Sequence, residues 1–299
     1  MTMKIGVIGM SEGNGHPYSW SAIFNGYSKE HMKDCPFPVI LDYLAKQSFP
    51  SDSIKGAKVT HVWCQNNDLS QSIAKASNID NVVDDMTDMI GQVDAILLAR
   101  DDSENHYEMS KPFIEAGLPI FIDKPITTSL KELEKIWSLE QYEGQIFTCS
   151  SILFAKEFSL SRKNLENEIG KIKFAEATIP KSWEKYAVHI IEPLLNILGS
   201  SEVVESVKNT GNGKEINLTT VKFQSDIYAL LKVLGTTSCP LRITFYGEKS
   251  YKELNFSDSF YAFKKSLEVF IEQIHLKKRL ISKKDTRRVI EIIEKGYIK

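Results

Sequence analysis

Between residues 4 and 149, short β-rich runs alternate with helical stretches, and this alternation narrows the available folds more than any other feature of the chain. The strand candidates are 4–9, 59–64, 95–99, 119–122 and 146–149; helical stretches lie between them at 20–27, 69–77, 104–115 and 130–139. Strands separated by helices predict a parallel sheet covered on both faces. The run from Ala95 to Ala99 is apolar throughout, as a strand buried on both sides requires. Ser129 is placed to cap the helix at 130 with Glu132 as reciprocal partner, and Gly117 stops the helix at 104–115.

After about residue 150 the texture changes. Strand patterns at 171–180, 203–211, 216–223, 227–234, 241–246 and 250–256 predict a largely antiparallel sheet. A helix over 259–276 brings Phe260, Phe263, Leu267, Phe270, Ile271 and Ile274 to helical spacing, and another over 284–295 follows. The expected class is α/β: a Rossmann-like doubly wound parallel sheet over 1–150, then an α+β domain over 151–299 with a mostly antiparallel open-faced sheet. A length of 299 residues accommodates both. Residues 28–57, rich in Pro, Ser and Lys with a helical piece at 39–47, form an insert suited to a lid, a partner or oligomer contact, or a surface excursion.

Charge excludes some partners. Lys and Arg number 37 against 39 Asp and Glu, a net charge of −2, which offers no bulk field to nucleic acid or to an anionic membrane. The four cysteines, Cys35, Cys64, Cys149 and Cys239, have neither metal-site nor disulfide spacing, so no metal is expected. With no signal-peptide pattern and no membrane-length apolar run, a reducing cytoplasmic location is expected.

The opening KIGVIGMSEGNGHPYSW reads as strand, glycine-rich turn and helix start, an arrangement that brings main-chain N–H groups to a pyrophosphate. Counted from Gly9, Ser11 and Asn14 stand at the second and third glycine positions of G-x-G-x-x-G, while Gly13 and Gly15 make the turn longer. Gln65 ends the second strand, where an acid commonly meets the adenosine ribose. Its amide tolerates either a hydroxyl or a 2′-phosphate, and no Arg or Lys adjoins it in sequence. The cofactor is thus NAD or NADP, with a lean to NAD. Ala99, at a strand's carboxyl end, and His106, in the helix start beyond it, face the region where open α/β sheets place ligands. IDKPI puts Lys124 in the same layer, where an ammonium in a partly desolvated cleft can polarise an alcohol oxygen. Gly9, Ser11, Gly13, Asn14, Gly15, Gln65, Ala99, His106 and Lys124 are the cofactor-binding candidates.

These segments together, KIGVIG, VDAILLA with its downstream His, EAGLPIFIDKPIT and FKKSLEVFIEQI…RRVIEIIEKG, resemble the glucose–fructose oxidoreductase/inositol dehydrogenase/MocA (Gfo/Idh/MocA) family of NAD(P)-dependent oxidoreductases. The resemblance implies hydride transfer at a secondary alcohol or ketone of a sugar, cyclitol or sugar acid, and a dimer or tetramer. It also implies a second catalytic group in a helix patterned D-x-G-x-H-x-x-D. In EKYAVHIIE, His189 matches the histidine, Glu192 the following acid, and Lys185 replaces the upstream Asp. Catalytic candidates are therefore His189 as base, Lys124 as orienter and Tyr186 as an alternative acid; Lys124, Lys185 and His189 would bind substrate. Lys185, Tyr186 and His189 are expected to share a helix face. A nucleotide-binding sensor or scaffold of the same fold, without turnover, is the competing expectation.

Overall fold

The computed structural model describes residues 2–211 and 215–297. The chain divides into two compact units. The first comprises Met1–Ile126, Glu134–Thr148 and Phe263–Leu280; the second comprises Thr127–Leu133, Cys149–Ala262 and Ile281–Lys299.

In the first unit, β1 (Met3–Ile8), β2 (Ala57–Trp63), β3 (Asn81–Val82), β4 (Ala95–Leu98), β5 (Ile120–Ile122) and β6 (Ile146–Phe147) form one sheet in the order β3-β2-β1-β4-β5-β6. Every pairing is parallel. Helices α1 (His16–Asn25), α2 (Pro38–Leu44), α3 (Asn67–Ala76), α4 (His106–Glu115) and α5 (Leu130–Trp137) lie along this stretch of chain. This doubly wound order reverses at β1/β4, so ligands are expected at the carboxyl ends of those strands. Ile5, Val7, Ile8, Leu97, Leu98, Ile120 and Phe121 are fully buried, the continuous apolar pattern of a sheet covered on both faces.

Three sequence expectations shift. Helix α1 begins at His16 rather than residue 20, because Pro17 in its first turn has a helix-ready φ and needs no N–H partner. The two-residue strand β3 is too short to show a period. Within the insert, the expected helix at 39–47 is α2, and its Ile40, with Phe37, packs against Gly15.

In the second unit come α6 (Arg162–Ile169), β7 (Ile172–Ile179), α7 (Trp183–Tyr186) and α8 (Val188–Leu198). They are followed by β8 (Val204–Asn209), β9 (Asn217–Phe223), β10 (Tyr228–Val233), β11 (Arg242–Gly247) and β12 (Tyr251–Asn255). Last come α9 (Ser259–Leu276), whose residues from Phe263 belong to the first unit, and α10 (Lys283–Gly296). The sheet order is β12-β11-β7-β10-β9-β8. It is antiparallel except for β7 with β10. That exception follows from the route: α8 carries the chain across from β7, and the β8–β9–β10 meander returns its third strand in the direction of the first.

One sheet face is apolar and buried, through Ala175, Ala177, Val221, Ala229, Leu231, Ile243 and Phe245. The amphipathic helices α8 and α10 supply Ile190, Ile191, Leu194, Val289, Ile292 and Ile293 to this core. Tyr228, Tyr246 and Tyr251 remain exposed on the strands. Among the described residues, no helix is long and apolar enough to cross a membrane.

Candidate functional site

The glycine turn follows β1 directly. Gly9 donates its N–H to the Trp63 carbonyl at 3.0 Å, and a Cβ on Gly9 would stand 2.2 Å from Pro17 Cγ, so its lack of a side chain lets α1 approach the strand. Gly13 has φ +77° and open space where a side chain would be. The turn closes through Asn14 N–H to the Ser11 carbonyl at 3.2 Å. Among the described residues, the main-chain N–H groups of Glu12, Gly13 and Gly15 have no acceptor, and Gly15 is buried at the entrance of the 10-residue α1. Unclaimed donors beside a helix N-terminus and a glycine with room above it fit the pyrophosphate of a dinucleotide.

The polar side chains of this turn are engaged by two buried acids. Ser11 donates its hydroxyl to Asp101 Oδ1 at 2.7 Å and accepts the Asp101 N–H at 3.0 Å. The other Asp101 oxygen stands 3.7 Å from Lys124 Nζ, and Lys124 is 4% exposed. A buried ammonium needs such a counter-charge, which fixes Lys124 at the end of β5. Asn14 donates to Asp123 Oδ2 at 2.9 Å, and the same oxygen meets His16 Nδ1 at 2.5 Å. His16 is further held by stacking on Trp20, 4.8 Å between ring centres, and by an edge contact with Phe263. Asp101 and His16 were not singled out in the sequence, and Asp123 stood there only as part of IDKPI. Their signal lay in their positions: Asp101 and Asp123 close behind β4 and β5, and His16 at the first residue of α1.

At the neighbouring strand ends, Gln65 donates to the Met10 carbonyl at 2.7 Å and accepts from Arg100 Nη1 at 2.8 Å. A cation absent from the sequence neighbourhood of Gln65 is therefore beside it in space. Arg100 is in turn clasped by both Asp102 oxygens, at 2.9 and 2.5 Å. Burial alone would raise the Asp102 carboxyl, but hydrogen bonds from Arg100 and Asn105, with the Arg100 charge, hold it below the usual range. Ala99 is fully buried, and its N–H binds the Ile8 carbonyl at 2.8 Å. His106 needs correction as a ligand-facing group. It is 0% exposed, and its two ring nitrogens meet the Ile126 and Arg100 carbonyl oxygens, each at 2.9 Å. Its ring braces the segments after β4 and β5 rather than facing a cofactor.

In the second unit, Tyr186 ends α7 and His189 lies in the first turn of α8, their ring centres 5.6 Å apart. The helix is interrupted at Ala187, yet these two rings do share a side as the sequence predicts; Lys185 is half-buried. Lys181 donates to the Tyr186 hydroxyl at 2.7 Å from a left-handed backbone, φ +73°, held by main-chain bonds to Gly235. His189 Nδ1 stands 2.6 Å from Ser150 Oγ, and the Ser150 N–H binds Glu192 Oε2 at 2.5 Å. Burial pushes the Glu192 carboxyl up to about 8. Ser150 and Lys181 lie outside any motif, and their proximity to the helix is tertiary. No cluster of metal-ligating side chains occurs among the described residues.

Comparison with known proteins agrees with this architecture. A family profile described as "Oxidoreductase family, NAD-binding Rossmann fold" matches residues 3–151. Among solved structures, the chain is similar to scyllo-inositol dehydrogenase from Lactobacillus casei with bound NAD(H) and scyllo-inositol. Identity is 13% and the TM-score 0.73, with 98% of this chain and 95% of that one covered. It is also similar to myo-inositol 2-dehydrogenase from Lactobacillus plantarum, at 13% identity and TM-score 0.71, covering 98% and 96%. An oxidoreductase from Thermotoga maritima matches at 15% identity and TM-score 0.73, covering 99% and 96%. No curated protein sequence matches the chain. Likeness at such identities establishes the fold. With the profile on the Rossmann half and this fold across the whole length, the chain belongs to the Gfo/Idh/MocA family of NAD-binding oxidoreductases.

Proposed function

We propose that the protein is an NAD(P)-dependent dehydrogenase or reductase acting on a secondary alcohol, or the corresponding ketone, of a sugar, cyclitol or sugar acid. The observation that carries this reading is the link Lys124–Asp101–Ser11, which ties a buried ammonium at a strand's carboxyl end to the glycine turn. Residues 1–150 would hold the cofactor through Gly9, Ser11, Gly13, Asn14, Gly15, Gln65, Ala99 and Lys124, and 151–299 would bind substrate. A bound nicotinamide supplies the hydride acceptor or donor. In oxidation, His189 is the base for the alcohol proton while Lys124 orients the oxygen and stabilises its developing negative charge. Tyr186 is the alternative acid, and Lys185 binds a substrate carboxylate or phosphate. NAD is favoured over NADP because Arg100, the cation beside Gln65, is already neutralised by Asp102. The exposed tyrosines of the second sheet support a dimer or tetramer, and the buried thiols Cys35, Cys64 and Cys149 suit a cytoplasmic protein.

A second reading, a nucleotide-binding sensor without turnover, is favoured by Lys185 standing where the family pattern has an acid, together with a glycine turn that departs from G-x-G-x-x-G at Ser11 and Asn14. Titration with NADH and NADPH, followed by tryptophan emission, tests both readings, and binding of neither would exclude each. Screening polyols, sugars and sugar acids by nicotinamide absorbance then identifies the substrate. His189→Ala is expected to keep cofactor affinity and lose turnover by about 10²–10⁴-fold, and Lys124→Ala to lose turnover by a similar factor while also weakening cofactor binding. Unchanged turnover in both variants would overturn the site assignment.

A further inference from the structure

We propose that Lys181 is a specificity-determining residue whose ammonium receives a carboxylate or phosphate group of the substrate, so that anionic sugars are selected over neutral polyols. The inference rests on the reading of Tyr186 and His189 as the substrate side of the site, and it narrows the substrate to one class.

The backbone is strained at this lysine. Lys181 follows β7, the strand flanked by β11 and β10, and precedes α7. Its φ is +73°, the left-handed region where a Cβ crowds the following carbonyl oxygen. The conformation is imposed from outside: Lys181 N–H donates to the Gly235 carbonyl at 2.6 Å, and Gly235 N–H returns to the Lys181 carbonyl at 3.1 Å. Gly235 is itself fixed, with φ +56° and a Cβ position only 2.5 Å from the Glu215 carbonyl oxygen. The other non-glycine residues with positive φ stand at ordinary turns, Asn78 and Lys277 after α3 and α9, and Asp226 in the β9–β10 hairpin. Glycine or asparagine would suit the Lys181 backbone better than lysine, so what the side chain contributes lies at its ammonium.

That ammonium has no counter-charge. On the strands of the same sheet, Lys173, Lys222, Lys232 and Lys252 each meet a glutamate. The exposed Lys181 pairs with no carboxylate among the described residues; it donates to the Tyr186 hydroxyl at 2.7 Å and stands 4.3 Å from the centre of that ring. An ammonium has three N–H donors, and Tyr186 takes one of them as a neutral acceptor. Two donors and the whole charge are left, held against the ring that touches His189. A carboxylate or phosphate oxygen supplies the missing charge-assisted acceptor, whereas a polyol hydroxyl brings no charge.

The test is equilibrium binding of three sugars that differ only at C6, D-glucose, D-glucuronate and D-glucose 6-phosphate. Each is added to the full chain, with and without NADH, and followed by saturation-transfer NMR. At least one anionic sugar is expected to bind about ten-fold more tightly than glucose, the size of one hydrogen bond to a charged group. Which of the two binds distinguishes carboxylate from phosphate. Lys181→Asn, uncharged and tolerant of a positive φ, should lose this preference while its melting temperature stays level or rises. Lys181→Arg, which keeps the cation, should retain the preference. A lysine that only braces Tyr186 predicts the reverse for Lys181→Asn, a lower melting temperature with the preference intact. Equal binding of the three sugars, binding of none, a preference that survives in Lys181→Asn, or a melting temperature lowered in that variant would overturn the proposal. Because binding is read without turnover, the dehydrogenase reading can fail while this one stands. A substrate screen that finds neutral polyols alone would keep that reading and overturn this one.

Discussion

Burial lifts the Glu192 carboxyl from 4.5 to about 8, with Asp285 adding to the rise and the Ser150 N–H opposing it. The unfolded chain releases this proton near the lower value and the folded chain near the higher, so between them unfolding releases a proton and stability falls as pH rises. The contribution is complete below about 4.5 and is lost by about 8, at a slope of up to about 1.4 kcal/mol per pH unit. Wild-type thermal denaturation is therefore expected at progressively lower temperature from pH 5 to pH 8, whereas Glu192→Gln, which keeps an acceptor for Ser150 and cannot ionise, should lack this component. Parallel curves for the two proteins would show that the carboxyl is ionised in the fold. Arg100 has a different logic at the same scale: its two bonds to Asp102 leave it neutralised beside Gln65. Asp102→Asn should uncover that charge and shift preference toward NADPH, read as the ratio of the two cofactor affinities.

At the scale of elements, the glycine turn joins β1 to α1 through glycines with different physical duties. A Cβ on Gly9 would meet Pro17 at 2.2 Å, a collision between strand end and helix that only displacement of α1 relieves. Gly13 has room for a side chain, but its φ of +77° disfavours one. Gly9→Ala should cost about 1–3 kcal/mol as overpacking. Gly13→Ala should cost about 1–2 kcal/mol as backbone strain. Denaturant melts give these two losses. Gly13→Ala, at the open rim of the turn, is expected to weaken NADH binding beyond its stability cost. Equal NADH affinity in wild type and Gly13→Ala would remove the turn from the cofactor site.

For the whole molecule, ligand binding and stability are linked: a cofactor that binds only the folded state at 100 times its Kd adds about 2.7 kcal/mol. NADH should therefore raise the melting temperature, and hydrogen exchange should slow in residues 9–15 and 99–102 of the first unit. Slowing confined to the second unit would contradict the proposed cofactor site. Light scattering of the free protein measures the proposed dimer or tetramer directly.

Much of this was legible in the sequence. Apolar runs broken by helical periods specify a parallel doubly wound sheet because strands buried on both faces can carry no polar alternation, and the later strands, polar at every second residue, specify a sheet with one wet face. IDKPI placed Lys124, and helical spacing placed Tyr186 beside His189, because these are short-range relations. What the tertiary structure alone decided are the partners: Asp101 on Lys124, Asp123 on His16, Arg100 on Gln65, two main-chain carbonyls on His106, and Ser150 on His189. The reason is physical. A buried polar group must be paired, so the sequence announces that a partner exists; which residue it is depends on the loops that strand order and sheet twist bring together, and these lie up to 107 positions apart along the chain.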